Sequence, residues 1–180
     1  MALRAAADDE QQFTIRAVLD THRRFMDLSV VYTNDPVWVE HSIHIMELLL
    51  AAKKYKVVGF DLEYTRARAG SHPKVAIAWM CVRHHVLIYH YCLATRPCEH
   101  FARFVNSPHY MVATVDITND VKALKNSGIA CQNLVDIQGQ YKIWGSKEHE
   151  KDSVVHLAEA IIDPYYRDMK DLCNKDKSLT

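Results

Sequence analysis

A chain of 180 residues, 49% apolar and 24% charged, has the size and make-up of one ordinary domain with a sizeable core. That argues against two domains of typical size, and against a collagen-like, coiled-coil or wholly disordered chain. Lys plus Arg is 22 and Asp plus Glu is 22, so no net positive field exists to hold nucleic acid non-specifically; any such contact is local.

Residues 1–12, with Asp8, Asp9 and Glu10, read as a flexible leader without an apolar core of signal length. Phe13 to Leu19 and Leu28 to Tyr32 read as two short strands, suited to a hairpin. Asn34-Asp35-Pro36 is a helix-start signal, and Trp38, Ile45, Leu48, Leu49 and Ala52 keep roughly helical spacing as far as Lys53. Val57 to Tyr64, Val75 to Val82 and Val86 to Cys92 then have strand length and form a three-stranded meander, the last two joined by an Arg83-His84-His85 turn.

Pro97 to Asn106 is a helix with Phe101, Phe104 and Val105 as its buried stripe, followed by a β-rich run from Met111 to Ile117. Thr118 and Asn119 can cap a helix that stops at Gly128, and Asn133 to Ile137 is a short strand; this β-α-β alternation calls for parallel pairing. Asp152 or Ser153 caps a last helix through Val154, Leu157, Ala158 and Ile161, stopped by Pro164, and residues 171–180 are a polar tail. The order predicts one α/β or α+β domain, residues 13–170, built on a mixed sheet.

Cys81, Cys92, Cys98, Cys131 and Cys173 contain no CxxC pair, which speaks against a disulfide framework or a structural zinc site. With no uncharged run of membrane-spanning length, the expectation is a soluble intracellular protein, nuclear or cytoplasmic. Cys81 and Cys92 read as buried small hydrophobes inside strands. Of eleven histidines, the closest groupings, His41 with His44 and His84 with His85 and His90, lack a further ligand at matching spacing, and His84 and His85 read as a surface turn.

Two acids interrupt an otherwise apolar strand. Asp61 and Glu63 stand two apart, so a period of 2 points both to one face. Adjacent like charges raise their pKa values or call for a cation, and hard oxygen donors suit Mg²⁺ or Mn²⁺. The plain alternative is a strand end whose acids face water. Asp120, after the Met111 strand and at the opening of a helix, is either a third ligand or an acid favoured by the helix dipole. Arg66, Arg68, His72 and Lys74 form a basic loop that either grips phosphates or is simply solvated. Tyr64 is either a stacking surface for a terminal base or a core aromatic.

In this order of motifs the chain resembles the DEDD superfamily of 3′–5′ exonucleases, in the branch of RNase D and the Werner-syndrome exonuclease domain as it occurs in small plant proteins. The matching segments are Val57-Val58-Gly59-Phe60-Asp61-Leu62-Glu63-Tyr64, Lys74-Val75-Ala76-Ile77-Ala78, Asp120-Val121-Lys122-Ala123-Leu124 and Asn133-Leu134-Val135-Asp136. The resemblance implies a ribonuclease H-like fold and two-metal hydrolysis of the terminal phosphodiester with Mg²⁺ or Mn²⁺. By it, Asp61 bridges both metals, Glu63 binds one and orients the attacking water, and Asp120 supports the other. Leu62, Tyr64 and Lys74 are the matching substrate-binding positions.

The pattern also breaks. The family's fourth acid lies on a final helix, four residues after a Tyr or five after a His. Tyr165, Tyr166 and Asp168, or His149 and Asp152, do not have that spacing, so the C-terminal helix is expected to be missing. Trp79 stands where relatives carry Gln, and Thr114 and Asp116 stand where glycine is usual. Two expectations follow. One is an exonuclease of weak or no activity on DNA or RNA 3′ ends. The other is a non-catalytic binding protein, with a protein partner or a second copy on the uncovered apolar face and no membrane association.

Overall fold

Asp35 sets the first helix: its carboxylate accepts the Val37 N–H at 2.8 Å, and Pro36 follows with a φ already suited to the first turn. The computed structural model describes residues 11–19, 22–65, 72–115, 117–140 and 153–168. In chain order the elements are β1 Gln11–Val18, β2 Phe25–Thr33, α1 Pro36–Ala51, β3 Val57–Tyr64, β4 Val75–Val82 and β5 His85–Tyr89. They continue with α2 Glu99–Val105, β6 Met111–Thr114, α3 Ile117–Asn126, β7 Leu134–Asp136, α4 Ile137–Gln140 and α5 Val154–Ile161.

The strands form one mixed sheet in the order β1-β2-β5-β4-β3-β6-β7. β3, β4 and β5 make the antiparallel meander, and β6 and β7 extend it in parallel, the arrangement of a ribonuclease H-like exonuclease core. The β1–β2 hairpin joins the opposite side, β2 running parallel to β5 with Val30 beside Val86.

Alternation decides which face is buried. Val58, Phe60 and Leu62 of β3, with Ala78, Met80 and Val82 of β4, point into one core cluster with Val39, Ile43, Met46 and Leu50 of α1 and Phe101 and Phe104 of α2. From α3 that cluster takes Ala123 and Leu124. Gly59, Asp61 and Glu63 of β3 and Trp79 and Cys81 of β4 lie on the other face, where none of the five is fully buried. Gly128, at φ 72°, ends the α3 segment in the left-handed conformation that favours glycine.

Four expectations are corrected. β5 ends at Tyr89, because its ladders to β2 and β4 both run out there, at Thr33 and Ala78. The chain leaves as a 3₁₀ turn over Tyr91–Leu93, which puts Cys92 in an exposed position rather than in a strand; Cys81 is half-buried. β6 ends at Thr114, opposite Asp136 of β7, and Ile117 already belongs to α3, which places Asp120 within its first turn. His85 is not in a surface turn: it opens β5, is 2% exposed, and its Nε2 lies 2.6 Å from the Ser42 hydroxyl on α1. The expectations for Arg66, Arg68, Asp116, His149, Asp152 and the polar tail fall outside the described residues. Among the described residues no helix is long and apolar enough to cross a membrane.

Candidate active site

β3 carries the acidic pair as its period requires. Asp61 and Glu63 are both exposed on the face opposite the α1 and α2 core, across from Trp79 and Ile77 in the β3–β4 register. Leu62, between them, is 4% exposed with its side chain in the core, so only its main chain can face a substrate. Partial burial, then the nearby charges of Asp120 and Glu63, push the Asp61 carboxyl above its ordinary range, against the opposing pull of the Leu62 backbone. This concentration of negative charge disfavours a second ionised carboxylate and favours a bound cation.

Asp120 is placed differently. It is 1% exposed, and both of its oxygens accept hydroxyl hydrogen bonds: Oδ2 from Thr114 at 2.6 Å and Oδ1 from Tyr64. Tyr64 therefore binds the acid on α3, with its ring 37% exposed at the end of β3, where the ladder to β4 shifts register. A buried carboxylate needs such partners, because desolvation of an unpaired charge costs far more than the hydroxyls return. Sequence reading missed this role for Thr114 and Tyr64. The one signal was a threonine where glycine is usual.

Lys74 is exposed at the start of β4 and is tied through its backbone to Thr65, whose Oγ1 accepts its N–H at 3.1 Å and whose own N–H reaches its carbonyl at 2.8 Å. Beside Asp61 opens a cleft of about 320 Å³, lined by Gly59, Asp61 and Trp79 and bordered by Ala113, Ile137 and Val154. Asp61 is the one charged residue of its lining.

The donor set fits a hard divalent ion at Asp61 and Glu63, two adjacent carboxylates facing outward. No group of three His, Cys, Asp or Glu able to hold a metal is found among the described residues.

A protein-family profile described as 3′–5′ exonuclease matches residues 36–178. The chain belongs to the 3′–5′ exonuclease family. Its fold is similar to that of exonucleases of known structure. The EXD2 exonuclease domain, in a crystal soaked in Mg and GMP, is 14% identical with a TM-score of 0.53 over 73% of this chain and 68% of that one. Escherichia coli RNase D, an exoribonuclease involved in structured RNA processing, is 15% identical with a TM-score of 0.54 over 74% of this chain. The catalytic core of RRP6 from Trypanosoma brucei is 18% identical with a TM-score of 0.55, again over 74% of this chain. The matches span 33% of the RNase D chain and 34% of the RRP6 chain, and at these identities the likeness is one of fold. Comparison with curated proteins gives no match. The exonuclease match takes in all three acids; it covers α1 onward, and the β1–β2 hairpin lies before it.

Proposed function

We propose that this exonuclease-family chain binds nucleic-acid 3′ ends and hydrolyses the terminal phosphodiester slowly or not at all. The observation that carries the reading is the outward pair Asp61 and Glu63, side by side on β3 within the family match. In it Asp61 and Glu63 would hold Mg²⁺ or Mn²⁺, and Asp120 would act from behind them. Such ions, when bound, stabilise charge on the attacking and leaving oxygens of an in-line displacement. The chain's own contribution is to hold the two carboxylates on a rigid strand, and to fix Asp120 through Thr114 and Tyr64. Lys74 supplies a positive charge for a phosphate, and the Leu62 main chain and the Tyr64 ring border the path of the terminal nucleotide.

Activity is expected to be low, because Tyr165, Tyr166 and Asp168 lack the spacing of the family's fourth acid. Asp120 spends one acceptor site of each oxygen on a hydroxyl, and a weakly held ion loses transition-state stabilisation worth orders of magnitude in rate. That favours a second reading, in which the fold binds ends, or a protein partner or second copy, without turnover.

The test is incubation with 3′-recessed DNA and single-stranded RNA in Mg²⁺ or Mn²⁺, beside the Asp61→Ala/Glu63→Ala variant. Stepwise 3′ shortening by the wild-type protein alone supports catalysis; equal, absent shortening in both leaves the binding reading. A melting experiment checks the ion separately. Millimolar Mn²⁺ is expected to raise the Tm of the wild-type protein and not of the double variant, since a ligand stabilises the state that binds it.

A further inference from the structure

We infer that Trp79 is a stacking platform for the terminal nucleobase, so that the cleft beside Asp61 is a base subsite; this deepens the reading above and rests on it. Trp79 lies directly across from Asp61 in the β3–β4 ladder. Directly opposed residues in an antiparallel pair have Cβ atoms about 4.5–5.5 Å apart on the same face, within one nucleotide's reach of a phosphate held at the carboxylate. The indole is 38% exposed and lines the cleft that Asp61 borders.

Several aromatic rings of the described residues have ring neighbours. Trp38 packs edge-on to His41, Tyr89 and Tyr91 pack with Phe101, and Phe104 packs with Tyr110. Among the described residues no ring packs on Trp79, so its apolar surface is available to a planar ligand. The cleft's about 320 Å³ sits at the small end of the range for small-molecule sites, which suits one base rather than a protein segment. Apart from the Cys81 thiol and the Thr114 hydroxyl, which is given to Asp120, its remaining walls are apolar, among them Gly59, Ala113, Ile137 and Val154. The subsite would therefore read the π-face common to all bases and not their edges, giving sequence-tolerant capture of the 3′-terminal nucleotide.

The experiment uses the full wild-type chain as the parent, with Ca²⁺ in place of Mg²⁺ or Mn²⁺, so that an ion can still bind at Asp61 and Glu63 while cleavage is suppressed. Two fluorescent single-stranded oligonucleotides are compared by anisotropy, identical except that one ends in a 3′-terminal abasic residue. The parent is expected to bind the base-bearing strand about 5- to 150-fold more tightly, the span of one base–aromatic stack. Adding Trp79→Ala should erase that preference while leaving the affinity for the abasic strand unchanged, and Trp79→Phe should keep most of it. Equal binding of the two strands by the parent, binding of neither, or a preference that survives Trp79→Ala overturns the platform. A uniform loss for both strands does so as well, because it marks a disturbed fold. The outcome is independent of the cleavage assay: terminal-base preference without shortening leaves the platform standing and removes only the catalytic reading.

Discussion

Asp120 is a buried anion held by two hydroxyls, and its environment makes each donor individually measurable. Thr114→Val keeps the shape and removes one donor to a charged acceptor, which should cost about 1.5–3 kcal/mol in urea unfolding. Tyr64→Phe should cost less, since the Tyr64 ring is partly exposed and water can replace its hydroxyl. Because both hydroxyls serve one carboxylate, the double variant should depart from additivity. His85 gives the pH dependence. Burial, then the charges of His84 and His41, hold its imidazole below the ordinary histidine range. The unfolded chain binds a proton there more readily than the folded one, so stability is full above the unfolded pKa and falls as pH drops through the folded value. Melting between pH 7.5 and 5 should show this fall, and His85→Gln should flatten it. Neither buried pairing was legible in the sequence. Ser42 and His85, like Tyr64 and Asp120, meet only after the sheet brings distant segments together, and local pattern carries no trace of such pairs.

At the level of elements, local chemistry and outcome agree where the signal is itself local. The capped start of α1, the bounds of β3 and β4 and the stop after α3 at Gly128 were all legible, because a cap, a period of 2 and a left-handed glycine act within a few residues. The ends of β5 and β6 were not, since a strand stops where its neighbours do. Asp35→Ala should therefore destabilise by about 1 kcal/mol through the lost cap. Gly128→Ala should cost about 1–2 kcal/mol, although a Cβ there meets nothing within 4 Å; the penalty is backbone conformation alone. Chemical denaturation with an unchanged m-value checks both.

For the whole molecule, the ribonuclease H-like core was legible from the order of its motifs, whereas the docking of β2 on β5 was not. The two strands of the hairpin differ in what they support. Val31 and Thr33 of β2 are buried, while the described side chains of β1 are mostly exposed and its one ladder is to β2. A chain starting at Arg24 should thus remain folded, with a modestly lower Tm, and one starting at Asn34 should lose cooperative melting. Circular dichroism of the two truncations decides it.

The parallel seam between Val30 and Val86 also orders events in time. On the ribosome the hairpin emerges before its docking strand, which follows only after α1 and the first two strands of the meander. At synthesis rates of about 5–20 residues per second this leaves it waiting for seconds. During that interval the apolar side chains of β2 face water, so the nascent chain is most exposed to chaperones, and to mispairing with a neighbour's hairpin, before residue 85 has been made.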